Sequence, residues 1–539
     1  MLDTKEMVFV NYILDNVHGF IGLTFMEDKI ERLPIFKRLQ DISQLGLVKR
    51  IFPGALHNRY IHSLGVMHVI DQMALHLGRF SLAERQLMRL AGLLHDLGHY
   101  PLSHDLEQVY DRKESVTAFS ITPVRETFLN DVQEDLYRLI DKSEETETPL
   151  KNQIPKRELV VKGKYHHETV TTYVIQKSSS IKKIIMEGIR EGYFDDDRYL
   201  WTKEREESKI QEFAEKIIDD ICALIQGNSD YMYEKGAFPE HFTAMLQMLH
   251  SELDADRIDY LLRDATFSGA SYGAFDLGAL LQNLDMKKVC IGHEEVWIVG
   301  VKEKGIGCAD QYMVNRYLAY TQVIFNKYTS IVGKMLREVV YWMMNSASEL
   351  TFYSPQKIYS IIEMHEQNEA YLAFTDSYFF EKLHAIEKKK HGCPEDIYFF
   401  VEQLRKYQAL DVKEEDVFSG GVQQQREHME NSDLYARIER LIAEKDFSKE
   451  KGLYLFNQKR ITNHVPYDWF QANFDAYNAT HEKKLDYFKY QKDRLMDGLA
   501  VIRGTGEPVL LIDAPRSMMR GLYDMQQVMV REYVFPVSV

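Results

Sequence analysis

The stretch AGLLHDLGHYPLSHD, residues 91–105, contains the candidate functional residues around which the fold is organised. It places His95 directly before Asp96, a nitrogen ligand beside a carboxylate. Neighbouring side chains on a helix diverge by about 100°, so this pair can meet at one ion only near a helix end. A histidine at a helix end can also simply cap backbone carbonyls, so the dipeptide alone does not establish a metal site.

The flanking residues predict such a helix end. Ser81 and Glu84 have the spacing of a capping box, which starts a helix. Apolar residues from Leu87 to Leu94 then recur at helical spacing. Gly98 is expected to be the left-handed glycine just after the helix. We therefore predict that the His-Asp pair lies on the last turn.

Two other stretches add candidate metal ligands. His62 lies in HNRYIHSLGVMHVI and Asp256 in SELDADRIDYLLRD, each at the polar edge of an apolar helical pattern. Two imidazoles and two carboxylates from three helices form a mixed nitrogen and oxygen set. Such a set favours a divalent Mn, Fe, Mg or Zn ion over metals that prefer thiolates.

Composition limits the classes of function. The chain has 539 residues, enough for two or more domains, and a net charge of −16, which disfavours general binding of nucleic acid. A phosphate-bearing ligand therefore needs a local basic pocket, which favours a small nucleotide. No apolar run is long enough for a membrane span, and the N-terminus lacks the basic region of a secretory signal. Four scattered cysteines, without a CxxC motif, predict a reduced, cytoplasmic setting.

The remaining pattern predicts a mainly α protein with small β elements. Residues 287–300 have the pattern of a hairpin, and 309–344 that of one long amphipathic helix carrying Arg316. We predict a core at 1–345 with an insertion at about 110–160. An accessory or regulatory region with a mixed α/β C-terminal lobe follows at 346–539.

Four motifs carry a resemblance to a known family: PGALHNRYIHSLGV, GLLHDLGHYPLSH, HHE and LDADRIDYLLRD. Their order and local spacing resemble those of the HD-domain deoxynucleoside triphosphate triphosphohydrolases, a family that includes dGTPases. The likeness runs from about residue 12 to 335 and is faint beyond 345. It implies an HD-domain helical core.

The resemblance also implies roles for individual residues. One divalent metal ion would be held by His62, His95, Asp96 and Asp256. The substrate would be surrounded by Gln44, Leu45, Arg59, His99, His104, His167, Arg257, Tyr260, Asp264 and Arg316. His99, His104, His167 and Asp256 would take part in catalysis, with His99 as the proton donor to the leaving oxygen.

Within that set, Gln44 and Leu45 match positions that exclude a ribose 2′-hydroxyl, and Tyr260 and Asp264 match positions near the sugar. From pattern alone, Gln44 is simply an exposed polar side chain.

Three departures from the family pattern affect specificity. Arg257 stands where the animal member has lysine. An insertion of some 45 residues separates His104 from His167. Ile324 stands where the family has a tyrosine near the sugar.

The resemblance implies hydrolysis of a dNTP to deoxynucleoside and inorganic triphosphate. It further implies a homodimer or homotetramer, an allosteric dNTP or NTP effector, a second Mg²⁺ that arrives with the nucleotide, and a role in dNTP balance or defence against phage. Two alternatives remain open. One is HD-type phosphodiesterase, nuclease or nucleotide phosphatase activity. The other is a nucleotide-sensing scaffold without turnover.

Overall fold

The computed structural model describes residues 6–110, 165–228 and 236–534, apart from 347–348, 365–367 and part of 422–486. The insertion predicted at about 110–160 lies almost wholly outside the described residues. Helices dominate the described chain, and the predicted mainly α architecture with small β elements is confirmed.

Nineteen α-helices are defined within the described residues. Those of the first half are α1 Phe25–Glu31, α2 Pro34–Lys37, α3 Arg59–Leu77, α4 Leu82–Leu94, α5 His104–Tyr110, α6 His167–Lys177, α7 Ser179–Arg190, α8 Glu207–Gln226, α9 Phe242–Leu249, α10 Ala255–Ser268 and α11 Leu277–Gln282. The others are α12 Ile306–Ala319, α13 Lys327–Met344, α14 Pro355–Met364, α15 Glu369–Leu372, α16 Asp376–Ala385, α17 Glu395–Arg405, α18 Tyr487–Asp497 and α19 Met519–Leu522.

Helix α4 begins as predicted but ends differently. The Ser81–Glu84 capping box is formed, and His95 is the C-cap residue. Gly98 is not left-handed, so its predicted role is wrong. A Cβ on Gly98 would lie 2.3 Å from the backbone nitrogen of Thr171 on α6. Glycine is therefore required because two backbone segments approach closely, and this contact brings α6 against the His-Asp pair.

The long helix predicted over 309–344 is interrupted. Helix α12 ends at Ala319, a single π turn spans Tyr320–Ile324, and α13 starts at Lys327 with Asn326 as its N-cap. The apolar pattern continues through the break and therefore does not reveal it. Isolated π turns occur frequently at functional sites.

The strands form three small sheets. An N-terminal hairpin pairs β1 Asn11–Asp15 with β2 Gly19–Leu23. The predicted hairpin is confirmed as β3 Leu284–Ile291 and β4 Glu294–Lys302, and this sheet is extended by β7 Ala500–Ile502 and β8 Val509–Leu510. A three-stranded antiparallel sheet has β9 Gln526–Val534 between β5 Val412–Gly420 and β6 Gly452–Arg460.

One hydrophobic core extends from the first hairpin to the last strand, from Ile21 to Tyr533. The parallel pairing of β4 with β7 also joins the two predicted regions. The boundary at 345 remains a prediction, but the structure packs both sides of it together. Among the described helices, none is both long and apolar enough to cross a membrane.

Candidate active site

The four predicted metal ligands lie together where three helices end or begin. His62 is on the first turn of α3, Asp256 is on the first turn of α10, and His95 and Asp96 follow α4. His62 Nε2 lies 3.0 Å from Asp256 Oδ1 and 3.8 Å from Asp96 Oδ2. His95 Nε2 lies 3.5 Å from Asp96 Oδ1 and 3.9 Å from Asp256 Oδ1. Ligand atoms of His62, His95 and Asp96 are close enough to share one ion, and Asp256 lies beside both imidazoles.

The two imidazoles are oriented as metal ligands. His62 Nδ1 donates to Asp259 Oδ2 at 2.7 Å, and His95 Nδ1 donates to the carbonyl of Gly92 at 2.8 Å. In a neutral ring each Nε2 is then the unprotonated nitrogen. His95 Nε2 is buried without a hydrogen-bond partner among the described residues, and His62 Nε2 faces the Asp256 carboxylate at 3.0 Å without hydrogen-bond geometry. Buried polar atoms without a partner are rare, and a divalent cation would satisfy both nitrogens. The residues present therefore fit a metal ion.

Electrostatics in the cluster favours the same conclusion. Burial lowers the pKa of His62, but Asp256 and Asp259 outweigh burial and raise that pKa to about 9. Burial raises the pKa of Asp96, whereas Arg59 and His95 hold it well below its usual range. Asp96 is thus a carboxylate at neutral pH, and a proton on His62 would leave when a cation binds.

A buried network holds His62 in place. Asp259 accepts from both His62 and His18, and it also pairs with Arg263, which in turn pairs with Asp15. Removing a carboxylate that orients a metal-binding histidine commonly lowers metal affinity about 10- to 100-fold.

Three histidines form a second group beside the metal ligands. The rings of His99 and His167 stack at 4.5 Å, and the ring of His104 lies 5.2 Å from that of His99. Glu107 accepts from Nδ1 of His104 at 2.8 Å and from Nδ1 of His167 at 2.9 Å. His167 Nε2 lies 3.9 Å from Asp96, so the two groups adjoin.

Two of the three histidines have a lowered pKa, and the third is exposed to water. Burial, followed by Arg59, lowers the pKa of His99 well below its usual value. The Tyr100 amide donates to His99 Nδ1, so the ring proton of neutral His99 is on Nε2, which is buried without a partner among the described residues. Burial also lowers the pKa of His167. The His104 side chain is 59% exposed and is therefore in contact with water.

Arg59 hydrogen-bonds one of the predicted metal ligands. Its guanidinium donates to Asp96 Oδ2 at 2.7 Å and to Ser103 Oγ at 3.0 Å. Leu102 and Ser103 have left-handed backbone with φ of 60° and 56°, a strained conformation for residues with side chains. Asp376, far along the chain, accepts from the Leu102 amide and stabilises this loop.

A cationic group lies on α10 and α12. Arg257 pairs with Asp254, and Arg316 lies 3.7 Å from the buried carboxylate of Glu252. The hydroxyl of Tyr260 is 3.5 Å from that of Tyr320 in the π turn. Tyr320 thus brings a tyrosine near Tyr260, although the family position is Ile324 in this chain.

The remaining predicted residues lie at the rim. Gln44 is buried, not exposed, and its Oε1 has no partner among the described residues. Leu45 packs against Val48, Ala55 and Val323. Asp264 accepts from His57 Nε2 at 2.7 Å.

Comparison with known proteins identifies the helical core. The family model described as HD domain matches residues 59–167. The described residues in this range, 59–110 and 165–167, belong to the helical HD core. All the predicted metal ligands except Asp256 lie in this range.

Similarity extends beyond the HD domain. The chain is 24% identical over 388 residues to the uncharacterized protein YwfO of Bacillus subtilis, covering 70% of this chain and 67% of YwfO. It is 24% identical over 421 residues to human deoxynucleoside triphosphate triphosphohydrolase SAMHD1, covering 75% of this chain and 57% of that protein. The predicted resemblance is thus confirmed, and the matched region spans about half to two thirds of these relatives.

A solved structure has the same overall fold. A hypothetical protein from Aquifex aeolicus superposes with a TM-score of 0.56 at 19% identity, covering 97% of this chain and 96% of that one. The helical HD core with a mixed C-terminal region therefore recurs in that crystal structure.

Several residues around the HD domain were not predicted from sequence. Asp259 lies three residues after Asp256 and Glu107 three after His104, so helical spacing could have indicated both. His18, His57 and Asp376 carry no such signal, because their partners are more than 200 residues away.

Proposed function

We propose that the protein hydrolyses deoxynucleoside triphosphates to deoxynucleoside and inorganic triphosphate. One observation carries the proposal: the Nε2 atoms of His62 and His95 converge with two carboxylates, and the helix that supplies Asp256 also supplies the cationic Arg257. Metal, triphosphate and proton-transfer groups would then adjoin one another. The similarity to SAMHD1, named a dNTP triphosphohydrolase, supports the same reaction.

The metal would be bound by His62, His95, Asp96 and Asp256. Once bound, such an ion polarises a phosphoryl oxygen and lowers the pKa of water. The identity of the ion, among Mn, Fe, Mg and Zn, is left to experiment. Arg59 would position Asp96, since it already donates to that carboxylate.

Side chains of the protein would bind the negatively charged phosphates and transfer the proton. Arg257 and Arg316 would bind the phosphates, and His99 would donate a hydrogen bond through Nε2 because its Nδ1 accepts from Tyr100. We assign proton transfer to the departing 5′-oxygen to His104 in place of His99. His104 is solvent-accessible and hydrogen-bonds Glu107, whereas His99 is neutral at physiological pH.

Sugar recognition would use the rim residues. Gln44 and Leu45 would exclude the 2′-hydroxyl, while Tyr260 and Asp264 would contact the deoxyribose. The hydrogen bond from His57 would fix the Asp264 carboxylate for this contact.

The test is a product assay on purified protein with Mn²⁺ or Mg²⁺. Each of the four dNTPs is supplied alone and with the other three, with rNTPs as controls, and products are separated by anion exchange. Triphosphate released from dNTPs, and far less from rNTPs, is the expected result. Orthophosphate would favour the phosphatase alternative, and cleavage of a single-stranded oligonucleotide supplied in a separate reaction would favour the phosphodiesterase or nuclease alternative. No product in any mixture would favour the non-catalytic scaffold.

The same assay tests activation. We propose a homodimer or homotetramer with a nucleotide effector bound by the accessory region at 346–539. Stimulation by a second nucleotide, with a mass change in light scattering, is expected. A monomer whose rate is independent of added nucleotide would contradict this.

A further inference from the structure

Lys459, near the end of β6, extends from the C-terminal sheet to the cationic side of the candidate site. Its Nζ lies 3.5 Å from the ring centroid of Tyr320 in the π turn. The Tyr320 hydroxyl in turn lies 3.5 Å from that of Tyr260. A side chain from a distant strand therefore adjoins residues assigned to the substrate.

Its position is fixed by the surrounding structure. Just beyond the strand, Thr462 Oγ1 donates to Glu252 Oε1 at 3.0 Å. From the central strand β9, Arg531 donates to the carbonyl of Phe325 at 2.9 Å, and Tyr533 donates to that of Lys327 at 2.6 Å. The sheet is thus attached to the chain just after the π turn that carries Tyr320, and to Glu252, which lies beside Arg316.

The charges around Lys459 are unbalanced. Arg316 and Arg257 both act on its ammonium group by repulsion, with Glu252 as the opposing carboxylate. Across the described part of the chain, no carboxylate lies within ion-pairing distance of Lys459 Nζ. Arg257 already pairs with Asp254, and Arg316 is only loosely paired with Glu252. Three cations therefore share only two carboxylates, Asp254 and Glu252, and the excess positive charge attracts a polyanion.

We propose that Lys459 binds the polyphosphate of the substrate, so that the C-terminal sheet contributes a residue to the active site and completes the cationic group of Arg257 and Arg316. This inference rests on the proposed function for the identity of the substrate. It gives the C-terminal region a direct part in binding, besides any regulatory one. A cation resting on a tyrosine ring as a purely structural contact is the competing account.

The experiment compares Lys459→Met and Lys459→Arg with Lys413→Met as the matched control. Lys413 is an exposed lysine of the same sheet, and its partner Glu532 also pairs with Arg437. Binding of inorganic triphosphate is measured by calorimetry with Mn²⁺ present, and dNTP turnover gives KM and kcat.

We expect Lys459→Met to raise the Kd for triphosphate and the KM about 10-fold with kcat little changed, which is the signature of lost uniform binding. Lys459→Arg should restore most of the affinity, and Lys413→Met should match the parent protein. Unchanged triphosphate binding in folded Lys459→Met overturns the inference, as does a parent protein that binds no triphosphate. A parent protein that binds triphosphate through Lys459 but hydrolyses no dNTP refutes the proposed function and leaves this inference standing.

Discussion

The metal-ligand group and the cationic group adjoin each other, yet they are built differently. His62 is held by a buried carboxylate network, and His95 by a backbone carbonyl three residues away. Arg316, in contrast, lies 3.7 Å from its nearest carboxylate, and Lys459 rests on an aromatic ring. Coordination requires ligands fixed within a narrow geometry, whereas cations without a close carboxylate keep their charge available for a polyphosphate. The difference separates ligands that are already held in place from cations whose charge is only partly balanced.

Loss of a metal ligand should have the largest effect. Asp256→Asn keeps the size of the side chain but removes a charged ligand, so we expect turnover to fall at least about 1,000-fold. Metal content by mass spectrometry and triphosphate release are the measurements. Glu212→Gln, at an exposed surface carboxylate, is the control. Activity near the parent level in Asp256→Asn would contradict the assignment of Asp256 as a metal ligand.

The network behind His62 should matter next. Asp259→Asn weakens the hydrogen bond that fixes the ring, and we expect Mn²⁺ affinity to fall about 10- to 100-fold. Calorimetric titration of the folded variant measures this.

Asp71→Asn is the control for that change. Asp71 is a buried carboxylate paired with Arg89, so it controls for lost stability without contacting His62. Equal metal affinity in both variants would show that the network supports only the fold.

The cationic group should affect substrate binding more than metal binding. Arg316→Met removes a charged hydrogen-bond donor worth about 1.5–3 kcal/mol, so kcat/KM should fall about 10- to 100-fold with Mn²⁺ affinity unchanged. Arg190→Met, at a surface arginine, is expected to have no effect. If Arg316→Met also lowers Mn²⁺ affinity, the metal-ligand group and the cationic group do not act separately.

The smallest effect concerns pH. Burial, then repulsion from Arg316 and Arg257, lowers the pKa of Lys459 to about 7 in the free protein. A bound polyanion favours the charged form, so the Lys459 contribution to triphosphate affinity is complete below about pH 7 and declines above it. The ratio of affinities between the parent protein and Lys459→Met should therefore be larger at pH 6 than at pH 9. An equal ratio at both values would contradict a titrating lysine.

The sequence by itself determined the helical core and the capped start of α4, and it indicated the candidate metal ligands. Those features depend on local spacing: helical periodicity, a capping box, and pairs of residues that adjoin on one turn. The resemblance of four short motifs supplied the remaining candidates.

Only the tertiary structure decided the rest. The role of Gly98 depends on how closely α6 approaches, and the π turn at Tyr320 interrupts an apolar pattern that continues through it. Asp376 supports the strained loop at Ser103, and Lys459 contacts the ring of Tyr320, from positions far along the chain. Local patterns cannot specify such contacts, because they depend on packing between segments hundreds of residues apart.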